Sequence, residues 1–395
     1  MNYGGSVEYV AAVLVVLQIL IARCYLRRWC ALWPRAARVA LVTVLALLWA
    51  STLASVWLTL SGILYTSRAV PVVPATIIAA VGYIWIIVSS IAIAIVSALR
   101  FMAARIPGAH SSGRRSLLRT VAIAAVGAPV AVTAFGTFIE RNNYGVRELD
   151  LPVPDLHPDL DGFRIAQLSD IHVSPFLSAR KAGQVIDMAN GLRPDLTVFT
   201  GDLITEMGDP LDDAIRELIR LRAEQGVLGC MGNHEEYVGC RLYLARQAAR
   251  AGLVFLRHAA TQIHRGEATL NIVGVDYQRS ANRENYLPRM DRLVIPGATN
   301  LLLSHNPDVF PTALRRGFQA ILSGHTHGGQ VNVEILHQNL NPARFRTPFT
   351  SGLYRLGNPG EAQASCFVSN GIGTIGMPVR LGAPPEIALL RLRRA

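Results

Sequence analysis

Between residues 163 and 322, five short apolar runs each read as a β-strand, and a polar cluster stands at or just beyond each. The runs are 163–168, 196–200, 226–231, 301–303 and 320–322. The clusters are Asp170-Ile171-His172, Gly201-Asp202, Gly232-Asn233-His234-Glu235, Ser304-His305 and Gly324-His325-Thr326-His327. Segments of helical spacing, 179–192 and 210–225, separate the first three runs. A series of strand, helix, strand, helix, strand specifies an α/β sheet. It also places Asp, His and Asn side chains at the carboxyl ends of neighbouring strands, where open α/β sheets build their sites.

Seven oxygen and nitrogen donors then converge: Asp170, His172, Asp202, Asn233, His305, His325 and His327. That set suits two divalent ions about 3.5–4 Å apart, which can hold a phosphate between them and generate hydroxide. Such a pair needs one bridging carboxylate plus separate ligands for each ion. Asp202 is the natural bridge, because it stands alone at its strand end. Imidazole and carboxylate donors without thiolate favour Mn, Fe, Zn or Co. In both Asp170-x-His172 and His325-x-His327 the spacing suits a strand end, where residues i and i+2 point the same way. Singly, each motif is an ordinary turn. Five in order are not.

The phrases Gln167-Leu168-Ser169-Asp170-Ile171-His172, Gly232-Asn233-His234-Glu235 and Gly324-His325-Thr326-His327-Gly328-Gly329-Gln330 carry a family resemblance. With Gly376-Met377-Pro378-Val379-Arg380 and Pro384-Pro385-Glu386-Ile387, they make residues 146–392 resemble the calcineurin-like metallophosphoesterase superfamily, in particular its membrane-associated bacterial branch. The resemblance implies one ion held by Asp170, His172, Asp202 and His327, and a second by Asp202, Asn233, His305 and His325. It makes His234 the catalytic histidine, contacting phosphate and assisting the leaving group without binding metal. One departure matters. The superfamily's Ser/Thr protein phosphatases follow Gly-Asp with a phosphate-clamping Asp-Arg-Gly, whereas Gly201-Asp202 runs into Leu203-Ile204-Thr205-Glu206. No arginine stands there to grip a phosphate bidentately, so a diester or pyrophosphate is expected instead.

The apolar excess lies in the first 140 residues. Four segments there, 7–25, 39–65, 70–99 and 118–139, are expected to span a bilayer, the first being the weakest and the one that reads alternatively as an interfacial helix. Of the net charge of +11, residues 1–150 supply 13 Arg against 4 acids, and the rest 25 Lys and Arg against 23 acids. The basicity therefore belongs to the membrane loops, and no nucleic-acid partner is expected. Ten arginines flank the first and third loops and only Arg68 lies in the second. The positive-inside rule then puts both termini and the catalytic domain outside the cytoplasm. Gly113-Arg114-Arg115-Ser116-Leu117-Leu118-Arg119 resembles a twin-arginine export signal and equally serves as a charged stop.

The domain plan is a transmembrane region at 1–140, a linker and first strand at 141–162, and a metallophosphoesterase domain at 163–395. Its fold class is α/β, a two-sheet sandwich flanked by helices. Further strands are expected at 146–153, 270–275, 329–334, 365–368 and 387–392, and helices at 241–251 and 307–316. Residues 336–354, with Arg344, Phe345, Arg346 and Phe349, read as a surface loop with anchoring aromatics or as a lip over the metals. Cys230 and Cys240 bracket Asn233-His234 and invite a disulfide, but a buried thiol is the commoner outcome. His110, His157, His258, His264 and His337 lack ligand spacing and read as structural or exposed. Glu235 is placed to support the ligands from behind.

These readings converge on a membrane-anchored two-metal phosphoesterase, hydrolysing a phosphodiester or pyrophosphate in a lipid-linked or envelope substrate. The alternative is a non-catalytic membrane sensor that binds a phosphorylated ligand. Retention of every ligand and of His234 favours the enzyme.

Overall fold

The structure, a computed structural model, describes residues 131–279, 283–335, 338–357 and 363–395, with scattered positions earlier in the chain. In chain order the elements are β1 (Gly145–Val153), β2 (Arg164–Leu168), α1 (Ala179–Gly191), β3 (Leu196–Phe199), α2 (Leu211–Leu218), β4 (Val227–Gly229) and α3 (Asn233–Val238). There follow α4 (Arg241–Ala249), β5 (Leu253–Phe255), β6 (Ala259–Arg265), β7 (Ala268–Gly274), β8 (Thr299–Leu303), α5 (Phe310–Arg315) and β9 (Ala320–Ser323). A small hairpin, β10 (Val333–Ile335) and β11 (Gln338–Leu340), precedes β12 (Gly352–Leu356), β13 (Ala364–Val368) and β14 (Glu386–Arg394).

Two six-stranded sheets result, ordered β1-β14-β2-β3-β4-β5 and β12-β13-β9-β8-β7-β6. Strands β2 to β5 run parallel, as do β7, β8, β9 and β13. The C-terminal β14 inserts between β1 and β2, antiparallel to β2. Side-chain alternation sorts the core into layers. Ile165, Leu196, Val198 and Leu390 of the first sheet meet Leu270, Leu301, Leu303, Leu322 and Phe367 of the second. From the other face of the first sheet, Leu168 and Phe199 pack on α1, α2 and α4 through Val185, Ile186, Leu218 and Leu244. Beyond the second sheet, Leu302, Ile321 and Val368 pack on Phe310, Phe318 and Phe349. Both sheets are covered on both faces, which is why the central strands are almost wholly apolar. The α/β two-sheet expectation holds.

Several boundaries differ. The helix expected over 210–225 stops at Leu218, because the Asn190 side chain accepts from the Arg222 N–H (2.8 Å) and donates to the Arg220 carbonyl (2.9 Å). Those bonds pull the chain out of the helix toward β4. The strand expected at 329–334 begins only at Val333, since His327–Gly329 forms a tight turn. The 155–162 stretch contains a 3₁₀ turn, Pro158–Leu160, with Leu160 buried. Cys230, Cys240 and Cys366 are free buried thiols, so no disulfide joins the first two. Among the described residues no helix is long and apolar enough to cross a membrane. The segments 7–25, 39–65, 70–99 and 118–139 lie largely outside the described residues, as do His110 and His337.

Candidate metal centre

The centre grows from two loops that run side by side. Beyond β2 and β3, Asp170 N–H donates to the Gly201 carbonyl (2.8 Å), His172 N–H to that of Asp202 (3.1 Å) and Val173 N–H to that of Leu203 (2.8 Å). Asp170, His172, Asp202, His325 and His327 have φ of 51, 50, 61, 74 and 53°. Five of the seven expected donors thus sit in the left-handed region, which costs a non-glycine residue about 1–3 kcal/mol. This corrects the strand-end expectation: both Asp-x-His and His-x-His lie past their strands, and left-handed turns rather than pleat alternation aim them inward. Gly324 illustrates the crowding. A Cβ there would overlap Ser169 Oγ and Asp170 Oδ2.

Asn233 and His234 open α3. Glu235, fully buried, explains how that helix is seated. Its carboxylate accepts from Asp202 N–H (3.0 Å), Leu203 N–H (2.7 Å) and Gly232 N–H (2.7 Å), lashing the loop after β3 to the one after β4. Asp202 Oδ1 in turn accepts from His234 N–H at 2.9 Å. From the second sheet come His305, after β8, and His325 and His327, after β9.

The donors then face one another. His305 Nε2 lies 3.0 Å from Asp202 Oδ2 and 3.2 Å from His325 Nδ1. His327 Nε2 lies 3.2 Å from His172 Nε2 and 3.3 Å from Asp170 Oδ1, and His172 Nε2 is 3.6 Å from Asp202 Oδ2. Donors around one ion with bonds of about 2.0–2.2 Å stand roughly 3–3.5 Å apart. Two groups, Asp170-His172-His327 and Asp202-His305-His325, therefore have the spacing to hold a metal each. A third combination, His172-Asp202-His234, also converges, though His234 Nε2 is 3.9 Å from Asp202 Oδ2. Asn233 Oδ1 is buried with no hydrogen-bond donor, which costs about 1–3 kcal/mol unless a cation meets it. The residues fit a metal pair.

Outer contacts fix the rings. His305 Nδ1 donates to the Thr200 carbonyl at 2.7 Å, leaving Nε2 for the centre. His172 Nδ1 meets Thr205 Oγ1 at 3.1 Å, and His234 Nδ1 meets the Thr205 carbonyl. Burial lowers the His172 and His325 pKa values to about 3 and pushes that of His327 well below its usual range, so all three are neutral. Against burial, His305 and His234 hold the Asp202 carboxyl well below the usual range. Burial, with Asp202 nearby, raises Asp170 to about 6, while the carboxylates of Asp202 and Asp170 overcome burial to raise His305 to about 10. Neutral imidazoles beside an ionised carboxylate are the forms that accept a metal.

Seven of the eight expected site residues converge in these groups, and Asn233 stands next to His234 at the start of α3. Sequence reasoning missed Thr205, Tyr277 and the task of Arg380. The Tyr277 hydroxyl lies 3.4 Å from His325 Nε2. Its signal was present: Val275-Asp276-Tyr277 follows β7 as the other clusters follow their strands. Arg380 is fully buried and donates to the carbonyls of Asn370 (2.8 Å), Gly373 (3.2 Å from Nε) and Ala383 (2.8 Å). The loop it pins supplies Ile372 and Gly373 N–H groups to the carbonyls of Ser169 (3.1 Å) and Asp170 (2.7 Å). Of the remaining histidines, His157 caps the Pro158–Leu160 turn, and His258 and His264 lie away from the centre, against Gln278 and Thr269.

The calcineurin-like phosphoesterase family matches residues 163–329. The chain is 30% identical over 312 residues to the transmembrane protein with metallophosphoesterase domain of Bos taurus, covering 75% of this chain and 67% of the relative. The protein of that name in Danio rerio is 29% identical over 261 residues, covering 63% and 57%. The uncharacterized metallophosphoesterase YkuE of Bacillus subtilis is 31% identical over 239 residues, covering 59% and 80%. The match thus spans under two-thirds of the zebrafish protein's length and about two-thirds of the bovine one.

Proposed function

Because this chain belongs to the calcineurin-like metallophosphoesterases and is a metal-dependent phosphoesterase, we propose that it is a two-metal hydrolase of phosphodiesters or pyrophosphates. One ion is assigned to Asp170, His172, Asp202 and His327, the other to Asp202, Asn233, His305 and His325, with Asp202 shared. When bound, two divalent ions, drawn from Mn, Fe, Zn and Co, supply Lewis acidity and a nucleophile at neutral pH. Asp202 and Asp170 balance the ions' charge, and the neutral imidazoles keep the donors fixed. The carbonyl of Thr205 holds His234 at Nδ1, so its Nε2 is the atom that hands a proton to the leaving oxygen.

The observation that carries the substrate class is the fate of the residues after Asp202. Leu203 and Ile204 are buried in the core, and Glu235 holds the Leu203 N–H. Where a protein phosphatase grips a dianionic monoester with arginine, this chain has core side chains, which suits the lower charge of a diester centre.

Membrane attachment is part of the same proposal. It rests on the four apolar segments before residue 140 and on the vertebrate relatives' description as transmembrane proteins. Attachment confines the site near a plane and raises its encounter with lipid-linked substrates. We place the domain on the outer face, following the loop arginines.

The test is reconstitution. Chelator-stripped full-length protein should be inert toward bis(p-nitrophenyl) phosphate and p-nitrophenyl phosphate. Added Mn should restore diester turnover in preference to monoester, rising until about two equivalents are bound. Activity that survives stripping, or a monoester preference, contradicts the proposal.

A further inference from the structure

The segment 341–350 is tied at both ends to the turn that carries His325 and His327. At one end the buried Asn341 side chain donates to the Gly328 carbonyl (2.9 Å) and accepts from the Ala343 N–H (2.9 Å). At the other, Thr326 Oγ1, between the two histidines, donates to the Thr350 carbonyl at 2.6 Å. Thr347 Oγ1 donates to Asp308 Oδ1 (2.5 Å), and the buried Phe349 ring packs on Phe310 and Tyr354 at 5.6 and 5.2 Å between centroids. A stretch anchored so fully is a fixed arch. At its crest, Arg344, Phe345 and Arg346 are exposed, and Phe345 is 94% so.

Two features of the crest point to a ligand. Arg283 Nη2 donates to the Arg346 carbonyl at 3.2 Å, fixing that backbone, four residues before the Thr350 carbonyl that Thr326 holds between His325 and His327. The Arg346 cation comes from a different element than the one that lacks arginine after Asp202. Next to it, Phe345 offers nearly its whole ring to solvent, an exposure that packing against an apolar ligand would relieve. An aromatic ring between two arginines matches the join between a phosphate and an apolar chain.

We propose that the crest sets substrate specificity, Arg346 holding phosphate oxygens of the bound diester and Phe345 packing on an apolar chain attached to that phosphate. This rests on the diesterase reading above and names the substrate class as lipid-linked.

Two diesters that differ only in chain length test it: methyl and hexadecyl p-nitrophenyl phosphate, in mixed micelles, with metal-loaded full-length protein. The leaving group is the same, so chemistry is matched. Wild-type kcat/KM should favour the hexadecyl ester by at least about tenfold. Phe345→Ser should bring that ratio close to one. Arg346→Ala should raise KM for both esters by about tenfold while kcat stays within a few-fold, and Arg346→Lys should recover part of the loss. Equal wild-type kcat/KM for the two esters, a ratio unmoved in Phe345→Ser, or an unmoved KM in Arg346→Ala overturns the inference while leaving the diesterase reading intact. Metal-loaded wild type that hydrolyses neither ester overturns both.

Discussion

His234 is held differently from the four other histidines around it. Each of those turns a ring nitrogen onto a carboxylate or another imidazole at 3.0–3.3 Å, whereas His234 Nε2 stays 3.9 Å from Asp202. We therefore expect His234→Ala to retain its metals while kcat falls by about 10²–10⁴, the usual span for general acid assistance. The loss should shrink for nitrophenolate, which needs little protonation. Metal analysis beside kcat on alkyl and nitrophenyl esters checks this, and a collapse of metal content contradicts the role. The eight candidate site residues were legible because Asp, His and Asn recur where apolar runs end. Thr205 was not, since one of its two contributions is a backbone carbonyl that any residue carries. Nor was the left-handed backbone, because nothing in Asp170 or His172 as residue types announces φ near 50°.

Loops, not strands, decide the centre's geometry, and Glu235 couples two of them. Glu235→Ala leaves the N–H groups of Asp202, Leu203 and Gly232 without their acceptor, at a cost on the order of 3 kcal/mol. For a domain of this size that lowers Tm by roughly 6–12 °C. Metal affinity should fall with it, because Asp202 and Asn233 lose their relative placement. Glu235→Gln, which keeps one oxygen acceptor, should fall between. Calorimetry with metal titration measures both, and a wild-type Tm with full metal in Glu235→Ala contradicts the coupling. Elements with strong apolar runs were readable in advance. Strand β5 was not, as Leu253–Phe255 is three residues with Val254 exposed, too short for a period to show. The early end of α2 depends on Asn190, distant in sequence, and so left no local mark.

At the scale of the molecule, the sandwich brings the ends of β2, β3 and β4 in one sheet opposite those of β8 and β9 in the other, so neither sheet alone holds a complete donor set. The chain's basicity is segregated too. Ten arginines flank the first and third of the stretches between the apolar segments before residue 120, and only Arg68 lies in the second; if those segments span the bilayer as proposed, a reporter fused after Ala395 should be active only outside the cytoplasm. A cytoplasmic C-terminus contradicts that placement. Changing both Arg114 and Arg115 to Lys keeps the positive charge, so it should spare ordinary insertion and block only a twin-arginine route. The two-metal centre turns on Asp202, the carboxylate we assign to both metal groups. The most direct measurement is bound metal and bis(p-nitrophenyl) phosphate turnover, side by side, in wild type and Asp202→Asn. The exchange keeps shape and removes charge. Wild type should bind about two ions per chain and hydrolyse the diester, and the variant should lose nearly all turnover together with bound metal. Full activity in Asp202→Asn would contradict the two-metal centre outright.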